Sequence, residues 1–599
     1  MREPRIHVSD TRRFAEKKVD KKYTAYRLMG YLKPSLPIFI LVFIGNLLSV
    51  VLSLVGPYLC GLAIAEVKVD GTTDFTKIGY LCLALILTYI SSHVLNYLTS
   101  IGMAYVARKM TQKMRGDLFN RLIRLPVGYF DSRQAGDVIS VLSYDVDTVG
   151  ASLANDVIMV LKSVVQIVGA LVMMLVIAAP LVAVFAVTLP LSFAATAIIT
   201  KKAHPLFKKR SAALGELNGF GEELLTGQKT TKAYGREQQV CSLFEEKNLK
   251  ANGAYTKAEY YGTLTGPTVN FFNNLSLTLI SVFGALCYAF GLFGIGIGQI
   301  SSFVLYSRKF SGPINEISNV IGEFQSAFAA ADRVFKVLDE KEEVLYAPDC
   351  KTLEKVEGKV EFKDVSFGYT AGCTVIKELS LTANKGDVVA IVGHTGAGKT
   401  TLINLLMRFY EPQSGAIYLD GQDISTFTRA SLRRAFTLVL QDTWLFAGTV
   451  YENIAYGNLS ATPEQVERVC RAAHIHSFIE RLPQGYDTVL TDNAANVSKG
   501  QKQLLTIARA MLSTAPILIL DEATSNVDTR TEQVISDAMT SLMQGRTCFV
   551  IAHRLSTIKN ADKILVVDDG NVVEQGTHQE LMERKGYYYQ LYQSQFESY

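Results

Sequence analysis

The chain has 599 residues, 49% of them apolar, and a formal net charge of only +4 at pH 7. That length exceeds a single domain, the near-neutral balance argues against a nucleic-acid binder, and a positive mean hydropathy of +0.18 is wrong for an ordinary soluble enzyme. The excess is one-sided: long apolar runs stop near residue 325, and globular composition follows.

In chain order, the first 33 residues are locally basic, with Arg12, Arg13, Lys17, Lys18, Lys21 and Lys22. They read as a cytoplasmic tail beside a membrane. No secretory signal is evident, because the first apolar core begins only after Pro34. Six apolar segments then follow, near 36–58, 78–102, 156–178, 181–200, 270–293 and 299–322. Each approaches or reaches the ~20 residues needed to cross a bilayer. Only "AAP" separates the third from the fourth, and "GLFGIGIGQ" joins the fifth to the sixth, so both pairs should be tight hairpins.

Charge in the loops sets the expected orientation. Residues 105–150 carry Arg108, Lys109, Lys113, Arg115, Arg121 and Arg124, and residues 201–250 carry Lys201, Lys202, Lys208, Lys209 and Arg210. The loop near 65–77 is acidic or neutral, and the hairpin links hold no basic residue. Basic loops stay in the cytosol, so both termini and both long loops should be cytoplasmic. Those loops have helical periodicity and few glycines, and are expected to carry the membrane helices into the cytosol. The eight cysteines (Cys60, Cys82, Cys241, Cys287, Cys350, Cys373, Cys470 and Cys548) are scattered and read as packing residues, with no disulfide or metal framework.

Residues 325–358 look like a charged linker. From "VEFKDVSFGYT" at 360–370 an alternating strand pattern begins, and strand, loop and helix then repeat as in an α/β domain. Within it, the apolar run "VVAIV" leads into Gly393-His394-Thr395-Gly396-Ala397-Gly398-Lys399-Thr400 and then into the periodic "TLINLLMRFY". Glycines at this spacing let successive backbone N–H groups turn inward as an anion nest, at the positive end of the following helix. Lys399 adds a charge for the outer phosphates and the Thr400 hydroxyl suits Mg²⁺. A second run, "ILILDEATS", puts Asp521 and Glu522 at the exit of a buried strand. Asp521 is suited to hold Mg²⁺, and Glu522 to polarise an attacking water. His553, in "VIAHRLST", would by itself read as a structural histidine; beside the other motifs a γ-phosphate contact is the better reading.

On these residues the chain resembles the ATP-binding cassette (ABC) transporters, and nearly all of it resembles a half-transporter of the exporter type. The resemblance implies a polytopic α-helical membrane domain with six spans and a C-terminal α/β P-loop ATPase domain of the ABC type. The implied layout is a basic segment at 1–33, the membrane domain at 34–324, a linker at 325–358 and the nucleotide-binding domain at 359–599. Tyr369 in "FGYT" matches the aromatic residue that stacks on adenine, and Gln441 in "VLQDTWLF" the glutamine that senses Mg²⁺ and the membrane domain. The family signature, usually Leu-Ser-Gly-Gly-Gln, appears as "VSKGQ", with Ser498, Gly500 and Gln501 kept, Val497 for leucine and Lys499 for glycine. Asp528 matches the Asp-loop. ATP is implied among Tyr369, Gly393, Thr395, Gly396, Gly398, Lys399, Thr400, Thr401 and Gln441, with Ser498, Gly500, Gln501 and Asp528 contributed across an interface. Mg²⁺ falls to Thr400, Gln441 and Asp521, and catalysis to Glu522, His553, Gln441 and Lys399. The stretches "RLPVGYFDSRQAGDVISVLSYDVDTV", ending at Val149, and "EELLTGQKTTKAYGRE" (222–237) resemble the two intracellular loops, whose tips would be short coupling helices.

In this family the signature serine reaches a partner's ATP, so one chain holds two half-sites and should work as a dimer. The partner implied is a second half-transporter. The altered signature beside an intact Lys399, Asp521, Glu522 and His553 favours a different chain over an identical one. The expected place is a bacterial plasma membrane, multi-pass and in contact with lipid. Cargo is the thinnest inference. Lys162 and Gln166 share a face of the third segment, Asn270, Asn273 and Asn274 a face of the fifth, and Arg308 and Lys309 lie in the sixth. Intramembrane charges suggest a cavity; helix–helix bonding, or a place in the cytosolic extension, is the plainer alternative. A cavity would favour small amphipathic or anionic cargo such as drugs, lipids or peptides. A leader-cleaving peptide exporter is not expected, since no peptidase-like extension precedes the first span. An importer on the same fold, a homodimeric lipid flippase and a regulatory ABC protein without pumping remain competing readings.

Overall fold

The structure is a computed structural model that describes residues 21–67, 73–344, 350–370, 372–394, 396–441, 443–490, 496–521, 529–552 and 555–596. Its contacts divide the chain into two units: up to Ile123 together with Ala135–Glu340, and Arg124–Gln134 together with Lys341–Tyr599.

The first unit is helical throughout its described residues. A twelve-residue helix, Lys21–Leu32, precedes Leu36–Ala65, Phe75–Ile123, Val146–Thr226, Glu237–Thr263, Thr265–Ala289 and Ile297–Asp339. Among the described residues, four helical stretches are long and apolar enough to cross a membrane: Lys22–Ala65, Phe75–Ile123, Ala135–Thr226 and Glu237–Ala289. The third of these runs for 92 residues, far more than one crossing needs. It breaks at Ala178 (φ −156°, ψ 74°), just before Pro180, where the third and fourth apolar segments meet. The sixth segment lies on Ile297–Asp339, where Arg308 and Lys309 dilute its apolar character. Large apolar side chains such as Leu41, Val176 and Phe271 remain exposed, the outward-facing surface that lipid would cover. The core of the unit joins Leu54, Met174, Leu181, Phe185, Ile280, Phe303 and Tyr306.

A line of polar contacts joins the helices Val146–Thr226 and Ile297–Asp339. At one end Arg333 donates two hydrogen bonds to buried Asp145, at 2.8 and 2.6 Å. The Ser163 hydroxyl donates to Glu316 Oε2 at 3.3 Å, and Gln166 Nε2 donates to the Lys309 carbonyl at 3.1 Å. Asp145 ends a five-residue π-helical turn, Val141–Asp145. Arg115 braces the same turn, donating to the Leu142 carbonyl at 3.3 Å and pairing with Asp147 at 2.6 Å.

The expected linker boundary at 325 falls inside this last helix, which continues to Asp339. The stretch "FQSAFAAADRVFKVLD" looks charged, yet Ala327, Ala330, Ala331, Val334, Phe335 and Leu338 are buried at helical spacing. Small alanines supply half of that stripe and carry little hydropathy.

The second unit is an α/β fold. Six strands lie in the order Asn571–Gly576, Lys563–Asp568, Val388–Val392, Thr547–Ile551, Ile517–Asp521 and Phe436–Val439. All pairs are parallel except the antiparallel edge. The central strands are buried on both faces, as their continuous Val/Ile/Leu runs require. A four-stranded antiparallel sheet that includes Val360–Phe367 and Ile376–Ala383 packs beside it. The short helix Val127–Asp131 belongs to this unit. Arg433 holds Glu343 with two bonds of 2.7 and 2.6 Å, and the Glu343 N–H donates to the Arg124 carbonyl at 2.8 Å.

Candidate functional site

The phosphate loop leaves the carboxyl end of Val388–Val392, the third strand of six, where open parallel sheets gather their ligands. Two glycines are required by geometry. Gly398 sits at φ +102° and caps the helix Lys399–Leu406, and a Cβ on Gly393 would stand 2.1 Å from the Val567 carbonyl oxygen. The helix is anchored by buried Thr401, Leu402, Ile403, Leu405 and Leu406. Its first turn therefore stays fixed, with the amides open for an anion. Lys399 Nζ donates to the carbonyls of Gly393 and His394, at 2.7 and 2.9 Å. Burial lowers the Lys399 pKa, opposed by the charge of Asp521. The ammonium thus sits partly desolvated on its own loop, with phosphate oxygens as better acceptors.

Thr400 is exposed beside it and Gly396 is exposed in the loop. Asp521 ends its strand opposite Ile551, half-buried. Gln441, exposed, follows the adjacent strand Phe436–Val439. Thr395, Glu522, Asp528 and His553 lie outside the described residues.

Tyr369 is exposed on one side and engaged on the other. Its hydroxyl donates to Thr401 Oγ1 and accepts from Asn404 Nδ2, both at 3.2 Å. Its ring meets Phe367 and Tyr410 edge-on, with centroids 5.0 Å away in each case. Tyr410 in turn donates to Asp131 Oδ2 at 2.5 Å. A Cβ on Gly128 would stand 3.0 Å from the Tyr410 ring, so the short helix Val127–Asp131 lies close against that tyrosine. Asn404, Tyr410 and Asp131 escaped the sequence reading. No local signal pointed to them, since Asp131 is 279 residues from Tyr410.

Ser498 starts the 14-residue helix Lys499–Leu512 with a reciprocal cap. Its hydroxyl accepts from the Gln501 N–H at 3.3 Å, and its own N–H donates to Gln501 Oε1 at 3.0 Å. Gly500 is buried, Lys499 is exposed, and Val497 is buried, keeping the packing role of a leucine. The same helix carries Arg509, which also escaped the sequence reading. Its guanidinium donates to the carbonyls of Asn453 (2.7 Å) and Trp444 (3.0 Å) and to Asn453 Oδ1 (3.1 Å). It lies near the rings of Phe446 and Tyr456. One residue thus ties the segment after Gln441 to the helix that begins at Ser498. Trp444 is 60% exposed.

In the membrane unit, Gln166 is committed to the Lys309 carbonyl, the helix–helix role weighed against a cavity. Lys162 is half-buried and Arg308 exposed.

Comparison with known proteins agrees with this architecture. The family model described as ABC transporter transmembrane region matches residues 39–314, and that described as ABC transporter matches residues 376–525. The chain is 43% identical over 584 residues to an uncharacterized ABC transporter ATP-binding protein, YfiC, of Bacillus subtilis, covering 96% of this chain and 95% of the relative. It is 42% identical to a fatty acid ABC transporter ATP-binding/permease protein of Mycobacterium tuberculosis, over 85% of this chain and 80% of that one. An ATP-dependent lipid A-core flippase of Hahella chejuensis is 34% identical, over 97% and 99%. Among solved structures, a bacterial Atm1-family ABC exporter with ATP bound superposes with a TM-score of 0.74 at 30% identity, covering 93% of this chain and 98% of that one. The chain belongs to the ABC transporters, as an exporter-type half-transporter in which a multi-pass membrane region is fused to a single ATP-hydrolysing cassette.

Proposed function

We propose that this ATP-driven transporter exports small amphipathic, lipid-like molecules across a bacterial plasma membrane, paired with a different half-transporter. The observation that carries the mechanism is the loop at Gly393–Thr400, with Lys399 resting on its own carbonyls. Arrival of a triphosphate gives the ammonium a charged partner in place of two neutral ones, and charge-assisted bonds are the stronger.

Tyr369 offers its exposed ring face to adenine. Gly396, Gly398 and the first turn of the helix Lys399–Leu406 bind phosphates, together with Thr395, Thr400 and Thr401. Ser498, Gly500 and Gln501 of the facing chain, and Asp528, complete the site, so two cassettes close on ATP. Glu522 then takes the proton of the attacking water and His553 orients it. Lys399 stabilises the developing charge, since phosphoryl transfer relies on positioning and electrostatics. Thr400, Gln441 and Asp521 offer hard oxygen donors at one end of the sheet, a set that fits Mg²⁺. That ion would neutralise charge on the phosphate oxygens.

Three observations support the finer reading. Lys499 puts an exposed cation in the first turn of a helix, where the dipole disfavours it; a weakened signature here would leave the partner's ATP less tightly held, and favours two unlike chains. The basic loops favour cytosolic termini. The names of the fatty-acid and lipid A-core relatives favour lipid-like cargo, with Lys162 and Arg308 as candidate contacts.

Affinity purification from native membrane, followed by uptake into inverted vesicles, tests all of this. Co-purification of a second half-transporter and ATP-dependent uptake are expected. Recovery of identical chains alone would overturn the heterodimer, efflux from the vesicles would indicate import, and ATPase activity without movement of any lipid-like probe would favour the regulatory reading.

A further inference from the structure

Beneath the N-terminal helix Lys21–Leu32 lies a cavity of about 190 Å³, lined by Leu28, Leu32, Met110, Leu153, Phe324 and Phe328 among others. Among the described residues, the only polar side chain in its wall is Ser152, itself buried. Water finds few polar partners along such a wall, so the slot suits an apolar occupant. Its size suits a stretch of acyl chain and is too small for a whole amphiphile.

A second cavity of about 290 Å³ adjoins it, sharing Met29, and is lined by Arg27, Lys33, Lys113, Tyr31 and Asp117. Arg27 is already paired with Asp339. Lys33 and Lys113 therefore outnumber Asp117 and leave this compartment positive. The helix above both cavities, "KKYTAYRLMGYL", mixes tyrosines with basic residues and stops where the first apolar helix starts. That composition belongs at a membrane–water interface. A greasy slot beside a cationic one, at that level, suits an amphiphile with an apolar tail and an anionic head.

We propose that the paired cavities under Lys21–Leu32 bind an anionic phospholipid of the cytosolic leaflet, one tail among Leu28, Leu153 and Phe328 and the phosphate against Lys33 and Lys113. The second tail stays in the bilayer. This rests on the cytosolic placement of the N-terminus given above, the side on which anionic headgroups attract basic segments.

The test uses the full transporter in nanodiscs of equimolar phosphatidylglycerol and phosphatidylcholine, with bound lipid counted by native mass spectrometry after partial delipidation. Wild type should retain phosphatidylglycerol several-fold over phosphatidylcholine. Leu153→Trp, which fills the slot, should abolish retention of both. The Lys33→Glu/Lys113→Glu double variant, confined to polar positions, should remove the preference even if the tryptophan variant fails to fold. Equal retention of the two lipids by wild type would overturn the proposal. So would unchanged selectivity in the double variant, or displacement of the phospholipid by equimolar oleate, which would assign the site to free fatty acid. ATP hydrolysis and vesicle uptake, measured on the same preparations in phosphatidylcholine alone, read the transporter assignment separately.

Discussion

The hydroxyl of Tyr410 joins two parts of the chain that the sequence keeps far apart. Its ring leans on Tyr369 and its oxygen bonds Asp131 on the short helix Val127–Asp131. Adenine stacking on Tyr369 would press on a tyrosine already bonded to that helix. Tyr410→Phe keeps the ring and removes a bond to a charged acceptor, at a cost of about 1.5–3 kcal/mol. It should raise the ATP concentration for half-maximal stimulation by cargo while leaving unstimulated hydrolysis nearly intact; equal loss of both would mean that the contact is merely structural. Glu522→Gln should retain ATP and slow hydrolysis by at least about 100-fold, the usual contribution of a positioned base; normal turnover would refute its role. Trp444, tied through its carbonyl to Arg509, should change fluorescence when Mg-ATP is added to that trapped variant, and an unaltered spectrum would count against its movement with nucleotide. The residues that sequence could single out were those whose expected chemistry depends on local spacing, such as Lys399 and Ser498. Asn404, Tyr410, Asp131 and Arg509 act through partners brought together only by folding, and nothing in their own neighbourhoods marks them.

At the level of single elements, the helix Lys499–Leu512 has two separable dependencies on Ser498. The hydroxyl caps the first turn, and it is also the group expected to face a partner's ATP. Ser498→Ala should cost about 1 kcal/mol of cassette stability, read by chemical denaturation without nucleotide. Ser498→Asp restores a cap but places a carboxylate toward phosphate, so it should recover stability and remain inactive. Near the C-terminus, His578 shares a 2.7 Å hydrogen bond with the Tyr588 hydroxyl, and burial, then Lys559, hold its pKa below the ordinary 6.5. The unfolded chain therefore binds a proton in a window where the folded chain does not. Stability from this site is complete above pH 6.5 and falls as the pH drops through the depressed folded value. His578→Gln should flatten the acid limb of a denaturation curve; an unchanged limb would show that other groups dominate it. Strands and the loop helix of the cassette were readable because their apolar runs and glycines are local signals. The end of the helix Ile297–Asp339 was not, because Ala327, Ala330 and Ala331 bury a stripe that hydropathy scarcely registers.

For the whole molecule, composition alone separated a greasy half from a globular one. The family match and the Atm1-family likeness extend that division across nearly the full length. ABC exporters act as dimers, and hydrolysis per chain should accordingly fall on dilution in detergent; a constant rate down to the monomer would refute the shared site. What sequence could not supply was how the membrane helices register against one another. The rungs from Arg333–Asp145 to Gln166–Lys309 fix that register. Slipping one helix past the other by a single turn would break these bonds together and leave Ser163 and Gln166, which fall within the apolar segments, without partners in hydrocarbon, at a cost of several kcal/mol. Lengthwise creep of the pair therefore costs more than a swing of the two helices together. Reorientation that moves cargo is accordingly expected to open where helices meet without such bonds.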